Sequence, residues 1–256
     1  MIDPRAIIAP DAVLGEGVEV GAYTIIGAGV RIGAGSWIGP HAVINGPTTL
    51  GCENKVFQFA SVGDAPQDKK YRGEPTRLEV GDRNVFREFC SVNRGTAAGR
   101  GVTKIGDENL FMAYSHVAHD CIVGSNCVMS NCTALAGHVE LGDWVILSGY
   151  AGVHQFCKVG AHSFLANNAA VTRDVPPFLL VAGTPAEPKG VNSEGLKRRG
   201  FGPAQITNIR NAYRLLYRSG LKLAAATEQL QALAADQPEL LPFVQFLAVS
   251  ERSIVR

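Results

Sequence analysis

The stretch HVAHDCIVGSNCVMSNCTALAGHVELGDWVILSGYAGVHQFCKVG (residues 116–160) decides the fold. Every sixth residue in it is large and apolar: Val117, Val123, Met129, Leu135, Leu141, Leu147, Val153 and Val159. The same register runs back through Phe111 to Ile105 and on to Leu165 and Val171. It recurs from Ile8 to Val62, and again at Val80, Phe86 and Val92. Six is an even number, so the period suits the two-residue alternation of a strand and not the 3.6-residue turn of a helix. Gly often follows the apolar residue, as at 15, 21, 27, 33, 124, 142 and 160. The unit therefore reads as a short strand and a corner, with Gly supplying the corner's backbone angles. Three units close a triangular coil of ~18 residues, and such coils stack as a parallel β-helix. At ~4.8 Å per stacked strand, nine or ten coils make a prism about 45 Å long.

The register breaks twice. GDAPQDKKYRGEPTRLE (63–79) is polar and holds two prolines, so an excursion is expected near 64–76. NRGTAAGRGVTK (93–104) delays Ile105 by seven residues and reads as an inserted loop. Loops thrown from a rigid scaffold are where function tends to sit. Four prolines in 176–188 mark a boundary, which divides the chain into a solenoid domain, 1–190, and a helical domain, 191–256. In the second, Ile206, Ile209, Tyr213 and Leu216 follow helical spacing behind Pro203, and helices are expected over 223–235 and 239–251. Such a domain would cap the last coil.

Composition narrows the function. The 24 basic and 23 acidic residues nearly cancel, which argues against nonspecific capture of nucleic acid. The charge is uneven, however: residues 186–222 carry eight Lys or Arg against two Glu, which reads either as a solvated helix face or as a landing place for phosphates or an acidic partner. No apolar run approaches ~18 residues, so no membrane span is expected, and MIDPRAIIAPDA (1–12) lacks the features of a signal peptide. The six Cys form no CxxC pair and read as reduced thiols of a cytoplasmic protein. Cys90, Cys121, Cys127 and Cys157 share a slot filled elsewhere by Ala, Ser and Thr, so they read as small packing residues rather than nucleophiles.

Allowing for coil length and the insertion, Asn93, His119, His138 and His154 should form a polar column down one side, with His116 beside it; His41 stands apart as an ordinary surface residue. Two chemistries fit such a column. Imidazoles on adjacent coils could hold zinc, as in solenoid carbonic anhydrases, or His119 could take a proton from a substrate hydroxyl. A noncatalytic solenoid binder is a third reading. Asp120 could orient a neutral His119, but adjacent strand residues point to opposite faces; the pair therefore requires a corner.

The stretches FQFASVG (57–63), QDKKYRGEPTR (67–77), HVAHDCIVG (116–124), LAGHVELGDW (135–144), VHQFCKVGAH (153–162) and VNSEGLKRRGF (191–201) resemble the bacterial UDP-N-acetylglucosamine 3-O-acyltransferases, which act first in lipid A synthesis. The resemblance runs end to end. It implies a mainly β fold, a left-handed parallel β-helix of hexapeptide repeats with a C-terminal α-helical domain, assembled as a homotrimer with active sites between prisms. It implies transfer of an (R)-3-hydroxyacyl group from acyl carrier protein to the sugar 3-hydroxyl of UDP-N-acetylglucosamine, with neither cofactor nor metal. His119 would be the general base, Asp120 its support, and the Gly137 amide the oxyanion donor. Gln67, Asp68 and Lys70 would hold the sugar; His116, His138, His154 and Gln155 would line the cleft. Asn192, Glu194, Arg198 and Arg199 would meet the nucleotide, and the remaining basic helix residues would suit the acidic carrier. Relatives have His where this chain has Asn93, which suggests a 3-amino sugar as an alternative acceptor. Asn167 lies near where relatives set acyl length. The next enzyme of that pathway shares the repeat but adds an N-terminal domain, for which a hexad beginning at Ile8 leaves no room.

Overall fold

The computed structural model describes residues 1–256. The chain winds as a triangular coil whose faces are sheets of nine, eight and ten strands, which matches the expected number of coils. Each strand pairs in parallel with the one a coil away: His116–Val117 with Ala134–Leu135, and that with Gly152–Val153. The hexad residue is the inward one. Val117, Leu135 and Val153 are all buried, and the core is one continuous cluster along the axis. Even the aromatic members stack in register, Phe86 on Phe111 at 4.8 Å.

The corners overturn one expectation. Gly15, Gly33 and Gly142 have no left-handed backbone angle; a side chain on them would drive its Cβ to within 2.6, 2.4 and 2.6 Å of the backbone of the next coil. Their glycine answers close stacking of coils. The left-handed position lies two residues later, and mostly non-Gly residues occupy it, among them Tyr23, His41, Asp120, His138, Trp144 and Phe156, all with φ between 57° and 66°. Stacking places these side chains above one another along each corner. His41 is thus not isolated: its ring stacks between Tyr23 and Phe59, at 5.2 and 5.4 Å.

Both register breaks are excursions. The first runs between strands Ser61–Asp64 and Arg77–Val80, the second between Ser91–Asn93 and Val102–Ile105. The proline-rich 176–188 segment contains the strand Leu179–Ala182, and Glu187–Val191, which runs across the expected boundary at 190, turns back antiparallel to it. Helices follow as α1 (Ser193–Arg198), α2 (Pro203–Arg218), α3 (Leu223–Ala234) and α4 (Leu241–Val249). Helix α2 buries Ile206, Ile209, Tyr213 and Leu216, the face its spacing marks out. Phe243 of α4 packs on Phe178 of the last coil at 5.3 Å. No helix is long and apolar enough to cross a membrane.

At this end every sheet edge is covered. Glu187–Val191 covers one, residues 183–186 bond to Ala170 on the second, and Val175 with Ile254 completes the third. At the opposite end Met1–Asp3 pairs with Val20 on one sheet, Ile7–Ile8 and Val13–Leu14 are the outermost strands of the other two, and Met1, Ile2 and Ile7 are exposed.

Candidate functional site

The left-handed angle at Asp120, φ 60°, is what lets two adjacent residues face each other. His119 Nδ1 lies 2.8 Å from Asp120 Oδ2. Asp120 is fully buried and is also met by the Thr96 hydroxyl at 2.6 Å, the Thr96 amide at 3.1 Å and the Arg100 amide at 2.8 Å. Burial by itself raises the carboxyl, but these hydrogen bonds, with that from His119, outweigh it and hold Asp120 below its usual range. An ionised carboxylate only accepts, so the His119 proton sits on Nδ1 and Nε2 presents a lone pair. The inserted loop thus supplies the donors that keep Asp120 charged. Thr96 and Arg100 were not legible as partners; only the late register of Ile105 pointed to their loop.

Gly137 packs against this imidazole. A Cβ there would come within 2.5 Å of His119 Cε1 and 2.7 Å of Nε2. The Gly137 amide donates to no other group of the chain. One coil on from Asp120, His138 stands edge-on to His119 at 5.2 Å and stacks on Phe156 at 4.4 Å. Burial pushes His138 below its usual range, against the pull of Asp120. Gln67, Asp68 and Lys70 of the first excursion face these residues across an open cleft of about 650 Å³, which Gln155 also lines. The Asp68 carboxylate accepts from the Lys70 amide at 2.9 Å, which shapes that lip.

The rest of the expected column divides. Asn93 is buried and does not line the cleft; its Nδ2 donates to the Ala65 carbonyl at 2.9 Å, and its Oδ1 has no partner. His116 is held by the Ser91 hydroxyl at 2.7 Å; burial, then the nearby His119, keeps it below its usual range. With His154 it lines a second, apolar groove of about 540 Å³ floored by Ala134, Gly152 and Ala170. Asn168 lines that groove, while its neighbour Asn167 is exposed at the corner and does not.

The 192–199 residues sit on a different corner, that of Trp144 and His162. The Arg199 guanidinium lies 5.1 Å over the Trp144 ring and 3.2 Å from His162 Nδ1. Burial, then Arg199, pushes His162 down to about 4. Asn192 caps α1 through the Gly195 amide and donates to the His162 carbonyl, so both ends of its amide are engaged. Glu194 pairs with Lys197, and Arg198 is exposed. One chain does not bring these residues to His119.

The Cys packing slot is occupied as expected. Cys121 and Cys127 are buried, and burial pushes both thiols up to about 12, which leaves no thiolate for attack.

Residues 174–255 match the family model described as Udp N-acetylglucosamine O-acyltransferase; Domain 2, and residues 103–137 match that of the bacterial transferase hexapeptide repeat. The chain is 53% identical over 255 residues, all of its length and 99% of the relative's, to the acyl-[acyl-carrier-protein]--UDP-N-acetylglucosamine O-acyltransferase of Thiobacillus denitrificans. It superposes over its full length on the UDP-N-acetylglucosamine acyltransferase of Francisella novicida (TM-score 0.98, 40% identity, 94% of that chain). The UDP-N-acetylglucosamine O-acyltransferase of Moraxella catarrhalis is equally similar (TM-score 0.98, 39% identity, 99% of that chain). A coil of opposite hand would not superpose so closely, and the fold is the left-handed parallel β-helix with a C-terminal helical region. A full-length likeness of this depth, over both the coil and the helices, places the chain in the UDP-N-acetylglucosamine O-acyltransferase family.

Proposed function

We propose that the chain transfers an (R)-3-hydroxyacyl group from acyl carrier protein to the 3-hydroxyl of UDP-N-acetylglucosamine, the first step of lipid A biosynthesis. The observation that carries this is the His119–Asp120 pair, with Nε2 free at a cleft beside an unused Gly137 amide. His119 takes the proton of the sugar hydroxyl as its oxygen attacks the thioester carbonyl. The Gly137 amide meets the oxyanion that forms. Collapse breaks the C–S bond, and the proton passes from His119 to the departing thiolate. Gln67, Asp68 and Lys70 hold the sugar, and His138 and Gln155 close the cleft behind it. The apolar groove beside His116 and His154 suits the acyl chain, with Asn167 at its edge.

Asn192 positions Arg198 and Arg199 for the nucleotide, with Glu194 beside them. Because these lie at another corner, a complete site takes a neighbouring prism, which supports the homotrimer. The solenoid 1–190 then provides the chemistry, and 191–256 the nucleotide and carrier contacts. A basic recess of Lys189, Arg218 and Arg256 beside Tyr213 and Tyr217 suits the acidic carrier. The substrates and the absence of any long apolar helix fit a cytoplasmic enzyme.

The 3-amino acceptor is the weaker reading. Asn93, which suggested it, lies outside the cleft with its amide nitrogen committed to Ala65. A metal site is also weaker. His119, Asp120 and His138 hold donor atoms within 4.8 Å, but His119 Nδ1 and Asp120 Oδ2 already bond each other. The purified protein is expected to acylate UDP-N-acetylglucosamine in preference to its 3-amino analogue, at a rate unchanged by a chelator. Absence of product, or activity lost to chelation and restored by zinc, would overturn this.

A smaller change tests the geometry. Gly137→Ala is expected to lower kcat about a hundredfold, because its Cβ displaces the His119 ring and small misplacements cost this much. Steady-state kinetics beside a thermal melt would check that the fold survives.

A further inference from the structure

The end of the chain returns to the solenoid. Asp174, fully buried, accepts from the Ser250 hydroxyl at 2.7 Å and the Arg252 amide at 3.3 Å, and its other oxygen accepts from the Lys158 amide at 2.8 Å. Its backbone pairs with Ser253 and Val255, and Ile254 and Val255 are buried. Between these anchors Arg252 is exposed. Its guanidinium lies 5.9 Å over the Phe156 ring, and one nitrogen is 3.1 Å from His154 Nδ1. Phe156 is a wall of the His119 cleft, so a residue 98 positions from His154 is delivered to the rim of that cleft.

His154 Nδ1 lies within reach both of the Arg252 guanidinium, which only donates, and of the Gln155 carbonyl at 3.2 Å, which only accepts. No carboxylate pairs with the Arg252 guanidinium; besides His154 its neighbours are the Phe156 ring and the buried Cys157 thiol. Arg252 therefore presents its donors beside His154, on a segment held by a buried carboxylate.

We infer that Arg252, with His154, forms a phosphate subsite at the rim of the His119 cleft. This rests on the acyltransfer reading, in which both substrates carry phosphate: the diphosphate of the sugar nucleotide and the phosphodiester of the carrier's pantetheine arm. A planar guanidinium suits either, since it binds two phosphate oxygens at once. Arg252 touches substrate directly and takes no part in the proton transfer.

The test is Arg252→Gln and Arg252→Lys beside the unaltered protein, with KM and kcat measured separately for UDP-N-acetylglucosamine and for (R)-3-hydroxyacyl carrier protein. Arg252→Gln is expected to raise one KM roughly ten- to a hundredfold while kcat moves less than about threefold. Arg252→Lys, which keeps the charge, should recover part of that loss. The melting temperature should not change, because the anchors are Ser250 and the backbone. A rise confined to the sugar nucleotide assigns its diphosphate to the subsite; a rise confined to the carrier assigns the pantetheine phosphate. Both KM values within about twofold of the unaltered protein, or a lysine variant no better than the glutamine one, would overturn the subsite while leaving the acyltransfer reading intact. Failure of the unaltered protein to transfer an acyl group would remove both.

Discussion

His119→Ala is expected to lower kcat by about 10²–10⁴-fold, the usual contribution of a placed general base, with the fold retained. His119 is the ring whose Nδ1 is tied to Asp120 and whose Nε2 faces the cleft, and no second imidazole holds that position. His138 touches it edge-on but lies 3.7 Å from the Asp120 oxygen, too far to inherit the bond. The coil does not depend on His119, which lies outside the apolar core. A noncatalytic solenoid would leave function intact in this variant, so the kinetics separate the two readings. The pair with Gly137 adds a further check. If Gly137→Ala acts by displacing the imidazole, it should cost little on top of His119→Ala.

Asp120→Asn is expected to cost about 10³–10⁴-fold in turnover for a different reason. An amide nitrogen facing His119 Nδ1 donates where the carboxylate accepted, so the ring proton moves to Nε2 and the base is lost. Stability falls too. Asp120 receives the Thr96 amide and hydroxyl and the Arg100 amide, and an amide side chain cannot satisfy them all; an unpaired buried donor costs about 1–3 kcal/mol. The sign of the pH dependence follows from the lowered carboxyl. Its stabilisation is fully present above the unfolded value of ~3.9 and is lost as pH falls through the lower folded value. Asp120→Asn should remove that acid-side loss. Acid unfolding curves of the two proteins would show the difference, and parallel curves would contradict it.

Much of the architecture was legible because its period is rigid. Each of the hexad residues from Val117 to Val159 became an inward strand residue, and the two register breaks became the loops around the cleft. Pro203 opened α2 where its fixed backbone angle allows. What the period did not reveal was the neighbour across a coil. Gly33 looked like a flexible corner and is a close contact. Asn54, Asn84 and Asn109 form a buried amide ladder that no local pattern announces. The proximity of His119, Asp120 and Gly137 follows from their lying within about one coil of each other. The site was not legible at Thr96 and Arg100, whose loop geometry set their reach, nor at Arg252, which arrives from the other end of the chain. The separation of the Arg199 group from His119 was likewise hidden, because a shift of six residues in register is a change of corner.

The unequal ends of the prism bear on how copies can meet. A stack of parallel strands is a template that another chain can extend, and a filament grows only if both ends accept a partner. Here later segments of the chain lie on the C-terminal edge of all three sheets, while at the other end Met1–Asp3 pairs with Val20 on one sheet and the edges at Ile7–Ile8 and Val13–Leu14 stay unpaired. Head-to-tail addition therefore has no acceptor, and strand pairing can join at most two molecules, head to head. One covered end thus closes the sheets to polymerisation by strand pairing.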